Sequence, residues 1–138
     1  MLFRSIAADG GWEALPPGPP MMRDSADARI PALRRRLLRE GYVLGKSGTG
    51  DTFDAGLDRA VRSFQHRHGL NQDGVVGAAT RAALNVPVEA RIDQIVVNLE
   101  RARWIAHTLP REFVAVNIAG AKVYLVRDDT LEIGRAHV

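Results

Sequence analysis

AVRSFQHRHGLNQDGVVGAATRAAL, residues Ala60 to Leu84, decides the fold of this 138-residue chain. Ala60, Val61 and Phe64, with Leu57 before them, recur at three- and four-residue steps, the spacing of one buried helical stripe. A helix is therefore predicted from about Asp54 to His68. Gly69 ends it in the manner of a helix C-cap. Asn71-Gln72-Asp73-Gly74 is turn chemistry, because Asp can bond its own backbone and Gly accepts positive φ. Val75 and Val76 return to the core. A third helix is predicted from Gly77 to Asn85, with Ala79, Ala82, Ala83 and Leu84 available for close packing.

Upstream, Ile30, Leu33, Leu37 and Leu38 fall at helical spacing between Arg29 and Gly41. Pro31 suits the first turn of that helix and Gly41 its C-terminal cap. The consecutive Arg34, Arg35 and Arg36 are expected on its solvated face, with an anion-binding edge as the alternative. Tyr42, Val43 and Leu44 follow, then the polar loop GKSGTGD. That loop lacks the spacing of a phosphate-binding loop and no strand precedes it, so a flexible connection is expected. Asp51, Asp54 and Asp58 cluster at a helix start, where N-capping and the helix dipole account for them. Before all of this, Ala7 to Asp27 is rich in Gly and Pro and reads as extended, with Trp12 and Leu15 pinning it to a neighbouring surface.

Downstream of Pro87, a longer amphipathic helix is predicted over Val88–Ala106, with Ile92, Ile95, Val96, Leu99, Ala102 and Arg103 in step. Leu109-Pro110 breaks it. Phe113, Val114, Val116 and Ile118, then Val123 to Val126, flank Ala119-Gly120-Ala121 and predict a β-hairpin. An isolated hairpin is marginal in water. The expected class is mainly α: a three-helix domain, a linker helix and a hairpin that begins a β-rich second domain.

The hydrophobic fraction, 46%, is that of a globular chain, and the net charge of +3 comes mostly from arginine. No apolar run approaches the ~20 residues that span a bilayer. There is no cysteine, which excludes disulfides, Cys-ligated zinc and a thiol nucleophile within these residues. His66 and His68 lie two apart on a helix and point to different faces, so no metal site is expected there. His107 is isolated in a linker. No nucleophile, base and orienting group assemble, and neither cofactor nor nucleic-acid partner is implied.

The series Leu33-Arg34, Leu37, Gly41-Tyr42, Ala60-Val61, Phe64-Gln65, His68-Gly69-Leu70, Asp73-Gly74-Val75-Val76-Gly77, Thr80 and Ala83-Leu84 resembles the three-helix peptidoglycan-binding domain. That resemblance implies wall glycan strands and stem peptides as partners. Asp73 and Thr80, with Gly69, Gly74 and Gly77, are first expected to build turn and helix start. Arg62, Gln65 and His66 are the candidates on α-helical turns that could reach a ligand, with a solvated helix face as the alternative. Asp73 and Thr80 complete the candidate binding set.

Further on, Asn98-Leu99-Glu100-Arg101-Ala102-Arg103-Trp104-Ile105 and Phe113-Val114-Ala115-Val116-Asn117-Ile118 are similar to the junction in large bacterial L,D-transpeptidases. The GGW…LP segment around Trp12 is similar to the stretch before their wall-binding domain. This resemblance implies a parent that cross-links peptidoglycan in the periplasm or cell envelope by acyl transfer through a cysteine thiolate. The family's Ser-His-Gly-Cys segment does not occur in this chain, which is expected to be inert in that reaction. The alternatives are the wall-binding part of a hydrolase (amidase or carboxypeptidase) and a non-enzymatic protein-interaction module.

The two ends read differently from the rest. Ile133–Val138 back-translates as ATC-GGA-AGA-GCA-CAC-GTC, a common sequencing-adapter string. Leu2–Ser5 can be read CTC-TTC-CGA-TCT, its reverse complement. The expected organisation is an adapter-derived head over 1–5, an extended segment over 6–27 and the wall-binding domain over 28–86. A linker helix over 87–109, the start of a catalytic domain over 110–131 and an adapter-derived tail over 132–138 follow. On this reading the lack of a visible signal peptide at Met1 carries no information.

Overall fold

The computed structural model describes residues 2–43, 50–106, 108–117, 122–127 and 130–135. His107, the turn 118–121 and most of the GKSGTGD loop lie outside the described residues. The chain divides into two compact units, Met1–Asp93 and Gln94–Val138.

The first unit holds α1 (Leu2–Ala8), α2 (Ile30–Arg39), α3 (Ala55–Arg67), α4 (Ala78–Leu84) and the start of α5 (Val88–Ala106). Pro31 sits in the first turn of α2, where its missing N–H costs nothing. Asp54 caps α3, its Oδ1 accepting from the Leu57 amide at 2.8 Å. Gly69 and Gly74 take φ of +66° and +75°, as the turn between α3 and α4 requires. One core joins these elements: Ile30, Leu33 and Leu37 from α2 meet Leu57, Ala60, Val61 and Phe64 from α3, with Val76 and Leu84. Tyr42 packs edge-on against Phe64, 5.9 Å between centroids.

Three core residues lie off the helical stripes. Phe53, Met21 and Leu15 are buried in the same cluster. Met21 exchanges backbone hydrogen bonds with Val76 (2.8 and 3.4 Å), so the pre-domain strap adds a one-residue bridge to the turn before α4. Trp12 and Leu15 pin the strap as expected: Trp12 Nε1 donates to the Val86 carbonyl at 3.0 Å. Asn85 brackets Leu15, accepting from its amide at 2.8 Å and donating to its carbonyl at 3.0 Å. A side chain with a donor and an acceptor on one plane can satisfy both groups of an extended residue.

Two expectations for α2 are corrected. Leu38 does not join the stripe and is 54% exposed. Arg34 and Arg36 are buried rather than solvated, and of the run only Arg35 faces solvent. The reason is partners. Arg34 Nη2 donates to the Thr52 carbonyl and to Asp54 Oδ2, both at 2.7 Å. Arg36 donates through Nε to the Leu84 carbonyl (2.9 Å) and through Nη1 to Glu40 (3.0 Å), and its Cζ lies 3.5 Å from the Trp12 ring centroid. A guanidinium that is paired, hydrogen-bonded and stacked tolerates a burial that an unpaired cation does not.

The strap is also held electrostatically. Asp27 accepts from Arg29 through its amide (2.8 Å), Nε (2.9 Å) and Nη2 (2.7 Å). The Arg29 side-chain bonds, ahead of the amide, hold the Asp27 carboxyl down at about 2, against an ordinary 3.8. The ionised form is the one favoured by folding, so its contribution is complete above pH 3.8 and is lost as pH falls toward 2. Urea melts from pH 5 to pH 2 should therefore show a loss of stability that is smaller in Asp27→Asn, and an unchanged slope in that variant contradicts the assignment.

In the second unit α5 continues and is followed by β1 (Glu112–Asn117), β2 (Lys122–Arg127) and β3 (Thr130–Arg135), an antiparallel sheet in the order β1-β2-β3. Phe113 pairs with Val126 and Val114 with Leu125, the register that the predicted hairpin requires. Glu112 faces Arg127 across the ladder at 3.5 Å. β3 was not expected, and it gives β2 a second partner, Leu125 opposite Glu132. The hairpin is therefore not isolated. α5 has the predicted bounds, but its stripe is not buried: Ile95, Val96 and Leu99 are exposed, and Trp104 is 80% exposed. α1 likewise occupies residues read as extended or foreign, and Ile6 within it is buried. Among the described residues no helix is long and apolar enough to cross a membrane.

Candidate functional site

α3, the turn after it and α4 bring together most of the residues singled out in the sequence. At their centre is Gln65, 1% exposed. Its Nε2 donates toward Asp73 Oδ1 (2.8 Å), the Val75 carbonyl (3.0 Å) and Thr80 Oγ1 (3.1 Å). Its Oε1 accepts from the Gly74 amide at 2.9 Å. One amide thus holds the turn to both helices. The Gln65 side chain is neither on a solvated face nor turned to a ligand; the sequence placed it beside the stripe, and the structure places it inside.

Asp73 and Thr80 complete that network. Asp73 Oδ1 also accepts from the Val75 amide (2.9 Å), closing an Asx turn, and the Thr80 hydroxyl donates to the Val75 carbonyl (3.2 Å). The Val75 amide, then Gln65, draw the Asp73 carboxyl below its ordinary range. Asp73 is exposed, whereas Thr80 is buried.

Arg62 ties the same turn from outside. It pairs with Asp58 (Nε to Oδ2, 3.0 Å) and donates through Nη1 to the Gln72 carbonyl at 2.6 Å. Roughly half of its side chain is open to solvent. His66 is exposed. His68 is not: it stacks on Phe64 with centroids 4.0 Å apart, and its Nδ1 lies 2.9 Å from the Phe64 carbonyl. Burial lowers its pKa, favouring the neutral ring. Among the described residues no group of three or more His, Asp or Glu is placed to hold a metal.

Beside this motif lies an open cleft of about 450 Å³ lined by Gly41, Tyr42, Val43, Arg59, Ala60, Ser63 and Arg67. Arg67 sits over the Tyr42 ring, Cζ to centroid 5.0 Å. The sequence reading missed Arg59, Ser63 and Arg67. The signal was available, since Arg59 lies three residues before Arg62, Ser63 three before His66, and Arg67 four after Ser63 on the polar side of α3. What this surface offers is guanidinium and hydroxyl donors beside a phenol ring. Among the described residues of the unit no nucleophile and base are brought together.

Residues 27–84, which contain α2, α3, the Gln65-centred turn and α4, match the family described as "Putative peptidoglycan binding domain". The match covers residues 27–84, less than half of the chain. Among curated proteins, a 45-residue stretch is 49% identical to the N-acetylmuramoyl-L-alanine amidase CwlM of Mycobacterium tuberculosis, over 33% of this chain and 11% of that protein. A 64-residue stretch is 30% identical to the N-acetylmuramoyl-L-alanine amidase CwlL of Bacillus licheniformis, over 46% of this chain and 18% of that protein. The matched stretches therefore span less than a fifth of either amidase. Among solved structures, a fused Zn-dependent amidase/peptidase/peptidoglycan-binding protein from Clostridium acetobutylicum aligns with a TM-score of 0.44 at 20% identity, over 83% of this chain and 58% of that one.

Proposed function

We propose that this chain is the wall-anchoring part of a peptidoglycan-remodelling enzyme of the cell envelope, and that it holds glycan strands and stem peptides without acting on them. The observation that carries this reading is the Gln65 network. It locks α3, turn and α4 into one unit within the residues that match the peptidoglycan-binding family. The binding face is the polar side of α3, where Arg59, Arg62, Ser63, His66 and Arg67 offer donors to sugar hydroxyls, acetamido carbonyls and stem carboxylates. Of the candidate residues, Arg62 and His66 belong to that face. Asp73 contributes at its edge, while Gln65 and Thr80 hold the scaffold.

For the parent enzyme, the two amidase relatives support a hydrolase over a transpeptidase. The transpeptidase reading rests on the similarity of Asn98–Ile105, of 113–118 and of the GGW…LP segment around Trp12 to that family. Sequencing the chromosomal locus separates the two. Zinc-ligand His and Asp residues encoded in frame support the hydrolase, and a Ser-His-Gly-Cys segment supports the transpeptidase. The same sequence decides whether residues 1–5 and 132–138 are adapter-derived.

Sedimentation with purified sacculi tests binding itself. The chain should pellet with sacculi, and the double variant Arg59→Ala/His66→Ala should lose about tenfold in affinity, as expected when two exposed polar contacts are removed. A chain that stays in the supernatant overturns the reading.

A further inference from the structure

A second cleft, of about 300 Å³, lies between α2 and the segment after α1 and is lined by Asp9, Gly10, Gly11, Trp12, Glu13, Ala32, Arg35, Arg36 and Arg39. It shares no residue with the α3 surface. Gly10 and Gly11, at φ of +85° and +72°, turn the chain at the end of α1 so that Trp12 faces α2. Arg39 donates to the Gly11 carbonyl and fixes that wall. Arg36 is immobilised between Trp12, Glu40 and Leu84, and its buried Nη2 has no hydrogen-bond partner among the described residues. Arg35 is exposed at the cleft and makes no hydrogen bond or ion pair among the described residues.

The charges here are mixed: three guanidinium groups and the carboxylates of Asp9 and Glu13. A simple anion would meet two carboxylates, and a simple cation would meet three arginines. A ligand that carries both signs on neighbouring atoms meets a partner for each. The volume is at the low end of small-ligand sites and suits a head group rather than a sugar chain. Guanidinium forks match a planar carboxylate, and the exposed acidic side chains match an ammonium.

We propose that this cleft receives a free amino-acid head, an α-ammonium and an α-carboxylate on one carbon, as presented by the diamino-acid residue of a peptidoglycan stem peptide. The inference rests on the wall-binding reading and adds which part of the polymer is recognised. Arg35 binds the carboxylate, Asp9 and Glu13 face the ammonium, and Trp12 forms the apolar side.

Nuclear magnetic resonance titration of the whole chain tests this with a disaccharide-peptide that bears diaminopimelate. The Trp12 indole N–H and the Arg35 guanidinium signals should shift on titration. The same muropeptide with that carboxylate amidated, and a lysine-type muropeptide that lacks it, should each bind about tenfold more weakly, the usual scale for losing one charge-assisted pair. Arg35→Glu should reduce binding to background, while Arg101→Glu, an equal charge change at an exposed position on α5, should leave the Trp12 response in place. Equal affinity for free and amidated heads, or an unaltered Arg35→Glu titration, overturns the assignment. Failure of the parent reading looks different. If the unmodified chain does not sediment with sacculi, wall binding and this cleft fall together. If it does sediment and Arg35→Glu titrates like wild type, only the cleft assignment falls.

Discussion

Gln65→Leu should unfold this domain more readily than any surface change, at a cost of about 3 kcal/mol. Leucine fills similar space but leaves the buried Gly74 amide without an acceptor and the Thr80 hydroxyl without its donor. It also frees Asp73 from the amide that holds it over the turn. Each buried polar group left unsatisfied costs ~1–3 kcal/mol. For a domain of this size that is a fall in Tm of roughly 12–24 °C, readable by circular dichroism. Gln65→Glu supplies a sharper contrast. It keeps an acceptor for Gly74 but sets a carboxylate against Asp73 Oδ1, now 2.8 Å from the Gln65 nitrogen. Its destabilisation should be largest near neutrality and should shrink as pH drops through the carboxylate range, where one of the pair takes up a proton. A Gln65→Leu protein that melts within ~2 °C of wild type would remove Gln65 from the centre of the fold.

Gly74→Ala is the second large effect. The residue sits at φ +75°, and a Cβ there would overlap Asp58 Oδ1 and come within 2.8 Å of Arg62 Nη2. The left-handed backbone alone costs a non-glycine residue about 1 kcal/mol or more. The larger part comes from displacing the Asp58–Arg62 pair that braces Gln72. We expect a combined loss of about 2–4 kcal/mol. Gly69→Ala is the internal comparison, because Gly69 has φ +66° but open space where its Cβ would stand. It should lose only the backbone portion, about 1 kcal/mol. Equal losses at the two positions would mean that crowding by Asp58 and Arg62 contributes nothing.

Much of this architecture could be read from residue order. Helix bounds followed from apolar spacing and from caps such as Asp54, because both act over one turn of chain. The hairpin followed from two β-branched and aromatic runs on either side of a short Ala/Gly stretch. What escaped the reading was long-range. Phe53 and Met21 sit outside any periodic pattern, so only the folded chain shows them in the core. The arginine run reads as a solvated face until Asp54 and Trp12 arrive from other segments and, with Glu40 one turn along the same helix, accept two of its members. Gln65 was misjudged for the same reason. A polar residue next to a buried stripe can face either way, and its partners lie eight to fifteen residues downstream. On the polar side of α3 the sequence singled out Arg62 and His66, whereas the cleft lined by Arg59, Ser63 and Arg67 takes shape only once Tyr42 packs beside α3.

The clasp between strap and α4 has a mechanical meaning. Trp12 is bonded to Val86, and Leu15 is gripped on both sides by Asn85, so the chain enters and leaves the three-helix core at neighbouring points. Tension applied through the two flanks would load these few bonds first, one after another, and would leave the packing between α2 and α3 unstressed until they had parted. A domain pulled from both flanks would then yield at its hem before it tears.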